Sequence, residues 1–377
     1  MGMMKFEVDR LTDASSTFLD LTRGISAQVV LFGHAISYLG VFNMLQPPSA
    51  PYMQNIAVAV FFYLSGYLIS YSSIRKSLKP EYSFNDYFFE RFARIYSAYF
   101  PAILFVVLID ALMISFFSDK YAFLSAFNFK HFFGNVFMLQ DFPVYFKKLT
   151  SFGSARPFWT LAIEWWFYMA FGWIFLFKPK ANLGWVFKGL ILIPLLIVPW
   201  HNVFGRGNGL TFVWIAGALS PVVLSELKKH KFNQKLVSII LAFVLTTIAT
   251  VIVLKSGSPK SWKFGLFMSG SFFAWLWHFQ TSQYSVPAYL KKFATFIAGF
   301  SFTLYLLHYS LLDILFHAFG AELSPYLLLA IMFFLSNFLS IIVARFTEDK
   351  HKEFVGWLKT NISPPIQAFV AKNLKFL

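Results

Sequence analysis

Apolar runs of about twenty residues, separated by short polar segments, recur from residue 19 to residue 346. An α-helix of that length spans the ~30 Å hydrocarbon core of a bilayer. The pattern predicts ten such helices, over 19–44, 53–74, 95–117, 157–177, 185–204, 210–225, 236–254, 262–279, 293–317 and 326–346. The sixth and eighth are short. No internal repeat and no low-complexity tract interrupts the series. The expected fold is therefore all-α: a polytopic membrane helix bundle of about ten transmembrane helices, forming one domain over 1–346 with a tail over 347–377. In the tail, Ile366, Phe369, Val370 and Leu374 fall near helical spacing with Lys372 and Lys375 beside them. Two readings fit that pattern equally, an interfacial amphipathic helix and a frayed polar end.

Composition removes the alternatives to a membrane protein. Of the 377 residues, 58% are hydrophobic and 13% charged, against about 45–50% and about 25% in a soluble domain. Such a chain cannot solvate its own surface as a globule, and its hydrophobicity excludes intrinsic disorder. There is no cysteine, which excludes disulfides, thiolate metal ligands and a cysteine nucleophile.

The net charge of +15, from 32 Lys and Arg against 17 Asp and Glu, raises nucleic acid as a partner. The basic residues lie between the apolar runs instead of forming one basic domain, so they read as cytoplasmic loops and no nucleic acid is expected. With the N-terminus cytoplasmic, the inner segments hold about twenty Lys and Arg and the outer ones about eight. Five of the eight fall in the long loop 118–156, where the rule is weak. Both termini are accordingly expected in the cytoplasm. The first eighteen residues carry five charges and no apolar core, so no cleavable signal peptide is predicted. The loop 118–156 is rich in aromatic residues, among them Phe127, Phe129, Phe132 and Phe133, and is expected at the outer interface.

Ionisable residues at membrane depth are costly and mark function by default. The first run carries Asp20, Arg23 and His34. Eleven residues separate Arg23 from His34, which returns to within roughly 20° of the same helix face about 16 Å along the axis. Asp20 is one turn before Arg23, where a carboxylate pairs with a guanidinium. His308 in the ninth run and His34 in the first each lie ~22 Å from the cytoplasmic end. Glu164, entering from outside in the fourth run, comes to about 20 Å from the same side. Asp110 in the third run reaches a similar level and reads as a helix-partner hydrogen bond.

Two imidazoles and a carboxylate at one level suit proton movement near neutral pH. They can deprotonate an alcohol for acyl transfer, or serve a proton-coupled transporter. A metal site is not expected, because no HExxH-like spacing occurs. Arg91 and Arg94, at i and i+3, share a face at the cytoplasmic mouth of the third helix. Guanidinium forks suit phosphate groups, although ordinary positive-inside anchoring explains them too. No P-loop or Rossmann glycine pattern is present, which argues against a standard nucleotide site.

These residues fall in motifs that resemble the membrane acyltransferase-3 family, which includes bacterial polysaccharide O-acetyltransferases. LDLTRG at 19–24 is similar to its LDxLRG motif, and Arg23 with His34 fits its R-x10-H signature. FFYLSGYLI at 61–69 resembles FFxLSGFLI, RFARIY at 91–96 resembles RxxRI, and WTLAIEWWFY at 159–168 resembles WSLxxExxFY. SFTLYLLH at 301–308 is similar to SYxLYLxH. All six occur in order, from the first helix to the ninth. Departures are Thr22 for Leu, Thr160 for Ser, Glu90 for a frequent extra Arg, and Ser97 and Ser310 for Pro. Glu90 lowers the positive charge beside Arg91.

The resemblance implies a bacterial inner-membrane enzyme. It would take an acetyl group from cytosolic acetyl-CoA, a co-substrate and not a bound cofactor, to a hydroxyl of an extracytoplasmic or lipid-linked glycan such as O-antigen or exopolysaccharide. In that reading His34 is the general base or transient acyl carrier and Glu164 the orienting or proton-handling carboxylate. Asp20, Arg23, Arg91 and Arg94 bind the acyl-CoA donor. His308, Ser65 and Tyr168 are supporting polar residues, with Ser65 and Gly66 allowing close helix approach. A fused extracytoplasmic hydrolase domain, found in some family members, is not expected after the tenth helix. The rival readings are a proton-coupled exporter of glycans or small acids, an acyltransferase with a succinyl donor or a non-sugar acceptor, and a membrane scaffold. The absence of a duplicated half argues mildly against transport.

Overall fold

The structure, a computed structural model, describes residues 8–140, 142, 149–179, 182–204, 209–256, 261–282 and 284–373. Helices occupy all ten predicted stretches. They are α1 (Asp13–Leu39), α2 (Met53–Ser77), α3 (Phe84–Phe116), a short α4 (Phe129–Val136), α5 (Phe158–Leu176), α6 (Asn182–Phe204), α7 (Leu210–Leu227), α8 (Gln234–Ser256), α9 (Trp262–Thr281), α10 (Ala288–Gly299), α11 (Ser301–Phe319) and α12 (Pro325–Phe346). Beyond them lie α13 (His351–Asn361) and α14 (Ser363–Asn373). Among the described residues there is no strand.

Seven helical stretches are long and apolar enough to cross a membrane by length and composition alone: α2, α3, α6, α7, α8, α11 and the stretch that begins with α12. Of the other predicted spans, α1 carries Asp20, Arg23 and His34, while α5 carries Glu164 and four tryptophans. Part of the hydropathy shortfall on those two helices thus sits on charged residues that line the cavity, Arg23 and Glu164.

Two predicted boundaries are corrected. The first helix runs over 13–39 instead of 19–44. It starts at Thr12, whose Oγ1 accepts the Ser15 N–H at 3.1 Å, and stops at Gly40 in the left-handed region (φ 64°), a common helix C-terminus. The ninth predicted helix is two helices, broken at Phe300 (φ −113°, ψ 4°). The break frees the first backbone N–H groups of α11, and one of them is used by the site.

The main core joins α2, α3, α5 and α7 around Tyr63, Tyr67, Tyr87, Tyr99 and Phe158, all essentially inaccessible. α2 and α7 cross closely because each has a glycine at the crossing. A Cβ on Gly66 would fall on the Trp214 carbonyl oxygen, and one on Gly217 on that of Tyr63. Small residues at such crossings let membrane helices approach by van der Waals packing.

The segment after α3 is tied down onto the bundle. Tyr99 Oη donates to the Asn135 carbonyl at 3.0 Å, Trp166 Nε1 to the Met138 carbonyl at 2.8 Å and Gln140 Nε2 to the Phe158 carbonyl at 3.0 Å. Phe129 and Phe133 are exposed, while Phe127 and Phe132 pack on Phe152. Asp110 accepts from Ser154 N at 2.8 Å and Ser154 Oγ at 2.5 Å, and Ser154 Oγ lies 2.6 Å from Ser310 Oγ. The serine that replaces the family's proline therefore contacts the docked loop.

The tail continues the bundle. Leu358 of α13 is buried against Phe89 and Ala93 of α3. Lys359 pairs with Asp86 at 2.9 Å and with Glu90 at 3.4 Å. Of the amphipathic positions in the tail, Ile366 is exposed on α14, and the side chains of Phe369, Val370, Leu374 and Lys375 lie outside the described residues.

Candidate active site

Helices α1, α2, α3, α5 and α11 enclose a cavity of about 160 Å³. Its polar lining is Arg23 from α1, Ser65 from α2, Arg91 and Arg94 from α3, Thr160, Glu164 and Tyr168 from α5, and Ser301 from α11. Apolar and aromatic side chains, among them Phe61, Phe62, Leu161 and Tyr305, make up the rest of the wall. The three arginines arrive together because α1 and α3 both begin at this end of the bundle. The α3 start is fixed by a reciprocal cap, with Ser83 Oγ accepting the Asp86 N–H and the Asp86 carboxylate accepting the Ser83 N–H.

Each guanidinium is held differently. Arg23 lies 3.5 Å from the Asp20 carboxylate one turn away. Arg94 donates to Glu348 Oε1 at 2.8 Å and stacks over Phe302. Arg91 stacks over Tyr87 and is 3.9 Å from Glu90. Glu90 itself is matched by Lys76 at 2.7 Å, Tyr82 Oη at 3.0 Å and Lys359. The acidic departure from the family pattern is thus neutralised by lysines and leaves the cavity's positive charge in place. The Nε groups of Arg23 and Arg91 are buried with no hydrogen-bond partner among the described residues. A buried donor left unmade is costly, so a cluster of cations with free donors is a ready anion site.

A directed chain of hydrogen bonds runs along the cavity wall. Trp214 Nε1 can only donate, and it does so to Ser65 Oγ at 3.1 Å. Ser65 Oγ is 2.9 Å from Tyr168 Oη, and Tyr168 Oη donates to Glu164 Oε1. With the tyrosine proton committed to the carboxylate, the Ser65 hydroxyl donates to Tyr168 or to Glu164 itself, with which it also interacts. The chain therefore points from α7 to Glu164, and Ser65 is occupied as a relay and not poised as a nucleophile. Trp214 was not legible as a site residue, being one aromatic among many in an apolar helix.

The histidines form a second station. His34 and His308 stack with ring centroids 5.4 Å apart and planes at 28°, and Tyr309 meets His34 edge-on at 5.1 Å. His308 is inaccessible to solvent. Its Nδ1 lies 2.9 Å from the Tyr305 carbonyl and 3.1 Å from that of Leu304. Carbonyl oxygens only accept, so Nδ1 carries the proton, and Nε2 of the neutral ring holds the lone pair. That Nε2 has no partner among the described residues. Beyond the pair, Tyr38 Oη donates to Asp313 Oδ1 at 3.0 Å and His317 Nε2 is 3.8 Å from the same oxygen.

The candidate residues thus fall into two groups. Arg23, Arg91, Arg94, Glu164, Tyr168 and Ser65 line one cavity, while His34 pairs with His308. Glu164 makes its hydrogen bonds with Tyr168 and Ser65, and none among the described residues reaches either imidazole. What connects the groups is Tyr305, which lines the cavity, shares a 2.5 Å hydrogen bond with Thr160 and has its ring 5.9 Å from that of His308. Thr160 is one helical turn before Glu164 on the same face. Among the described residues no group of three His, Asp or Glu side chains is arranged to hold a metal ion.

The bundle thus has segments long and apolar enough to cross a membrane, a guanidinium-lined cavity at one end and a pair of stacked imidazoles further along α11, the make-up of an integral membrane protein. The acyltransferase-3 family, described as an acyltransferase domain, matches residues 16–345. The chain belongs to this family and is a membrane acyltransferase. No curated protein and no solved structure matches it.

Proposed function

We propose that this acyltransferase moves an acetyl group from cytosolic acetyl-CoA to a hydroxyl of an extracytoplasmic or lipid-linked glycan in a bacterial inner membrane. The observation that carries the reading is the convergence of Arg23, Arg91 and Arg94 on one cavity with two buried Nε donors unpartnered. Phosphates of the donor are the natural counter-ions for such a cluster. In this reading the basic end of the bundle is the cytoplasmic one, and a cavity at that end supports a cytosolic donor.

In the reaction the acceptor oxygen attacks the thioester carbonyl, its proton passes to an imidazole, the C–S bond breaks and CoA leaves as thiolate. His34, stacked on His308, is the group for that proton. A neighbouring neutral ring with its lone pair on Nε2 gives the proton a second place to rest. The imidazolium returns that proton to the departing sulfur, and Glu164, which accepts from the Tyr168 hydroxyl and lines the cavity with the arginines, is the carboxylate that holds the donor's amide end. Positioned acid–base groups contribute about 10²–10⁴-fold.

The test is acetyl-CoA-dependent release of CoA by purified protein with envelope polysaccharide as acceptor, beside His34→Ala at matched folded yield. Release that needs both acceptor and His34 supports the reading. No release with acetyl-CoA or succinyl-CoA across sugar and non-sugar acceptors, by a protein that is folded, sinks it in favour of transport.

A further inference from the structure

The family match ends at residue 345, yet a carboxylate three residues later reaches into the cavity's wall. Glu348 sits in the single turn (Glu348–Lys350) that links α12 to α13, and its side chain is 4% exposed. One oxygen, Oε1, takes the Arg94 guanidinium at 2.8 Å. The other, Oε2, takes the Thr303 backbone N–H at 3.2 Å and the Thr303 hydroxyl at 3.1 Å. That N–H is one of those freed by the break at Phe300, so Glu348 caps the N-terminus of α11 as well as holding Arg94. A carboxylate there also meets the positive end of the helix dipole.

We infer that Glu348 is a positioning residue for the donor: it fixes Arg94 against α11 so that the guanidinium presents its remaining N–H groups to the anionic part of an acyl-CoA. This rests on the reading of the arginine cavity as the donor site. The alternative role for a carboxylate on a binding arginine is a plug that the ligand displaces. Burial and two further hydrogen bonds to α11 argue against it, because displacement would strand a buried carboxylate and uncap a helix. The bond to Glu348 uses Arg94 Nη2, and a planar fork that is already held loses little on binding. The anchor is itself held from behind, through Leu358 packed on Phe89 and Ala93 and through Lys359 bridging to Asp86 and Glu90. The segment that sequence divides off as a tail is in this sense part of the donor mouth.

The experiment uses the full chain purified in detergent. CoA binding is measured by calorimetry, and KM for acetyl-CoA and kcat are measured separately, for wild type, Glu348→Gln, Thr303→Val and Arg94→Ala. Glu348→Gln keeps an oxygen for Thr303 but loses the charge on Arg94. The expected result is CoA binding weakened about tenfold, equivalent to about 1.4 kcal/mol, with KM raised in step and kcat within about twofold of wild type. Thr303→Val loosens the same anchor from the other side and is expected to weaken CoA binding about threefold. A general loss of structure would instead lower kcat and the folded yield together. Unchanged CoA binding in Glu348→Gln while Arg94→Ala binds weakly overturns the inference. Tighter binding in Glu348→Gln also overturns it, by making Glu348 a competitor. A folded wild-type protein that binds no CoA overturns the reading of the cavity itself, which the first two outcomes leave standing.

Discussion

Removing the Tyr168 hydroxyl separates a catalytic role of the cavity's hydrogen-bond chain from a structural one. Tyr168→Phe keeps the ring, which is 8% exposed and packed in the core, and deletes one oxygen with two partners. Glu164 loses one of the donors it accepts from, and Ser65, 2.9 Å away, loses one of two acceptors for its proton. A hydrogen bond to a charged group is worth about 1.5–3 kcal/mol and a neutral one about 1 kcal/mol. Partial rearrangement of Ser65, which still accepts from Trp214, trims the second term. The expected destabilisation is about 2–3 kcal/mol, read as a fall in thermal midpoint in detergent. A cycle with Glu164→Gln, which keeps an oxygen to accept from Tyr168 but loses the charge, should return a coupling of about 0.5–2 kcal/mol, the difference between a charged and a neutral hydrogen bond. If Glu164 handles a proton, kcat falls about 10–100-fold in either single variant and hardly further in the double, while KM for acetyl-CoA moves less than about threefold. A full loss of thermal midpoint with wild-type kcat would show that the chain braces α2, α5 and α7 and has no part in the chemistry.

Two further outcomes follow from close contacts elsewhere in the bundle. Gly66→Ala places a methyl on the Trp214 carbonyl oxygen and should cost about 1–3 kcal/mol of stability by overpacking; an unchanged thermal midpoint would mean that α2 and α7 can part freely. Asp110→Asn puts an amide opposite the Ser154 N–H and hydroxyl, so the loop 118–156 should become more sensitive to protease added from the outer side. Equal nicking in wild type and variant would remove Asp110 as the loop's anchor.

How much of this was legible in the sequence depends on what each feature needs. Membrane helices are specified by long apolar runs, and all ten stretches are helical. The break at Phe300 was read through: no proline marks it, both flanks are apolar enough to continue, and its one local signal, Gly299 at the end of α10, is also tolerated inside membrane helices. Arg23, Arg91, Arg94 and Glu164 stood out because charge is costly among apolar residues. Their depth could be worked from the helical rise, but rise gives a level and not a direction around the axis. That is why Glu164 was grouped with the histidines, whereas its helix turns it toward the arginines. Glu348 was invisible for the opposite reason. It lies in the charged run TEDKHKE at 347–353, where nothing distinguishes it from Asp349, and only the packing of α13 on α3 carries it into the protein.

The two stations also bear on the choice of donor. Ser301, on the cavity wall, and His308 are seven residues apart on one helix, about 10 Å along its axis. Reacting atoms must approach to about 3–3.5 Å. A donor anchored by its phosphates at the arginines can therefore react beside the imidazoles only if its acyl group is carried on a long arm. Acetyl-CoA has that form, with the thioester at the end of the pantetheine chain. Acetyl phosphate does not, because its acyl carbon is bonded directly to the phosphate oxygen. The expected outcome is that acetyl phosphate, at the same concentration as acetyl-CoA, gives less than about a hundredth of the acetylated acceptor. CoA without its acyl group should inhibit transfer competitively, and free phosphate much less. Transfer from acetyl phosphate at a rate near that from acetyl-CoA would mean that the chemistry takes place at the arginines, next to Glu164, and would leave the histidine pair without a part in it.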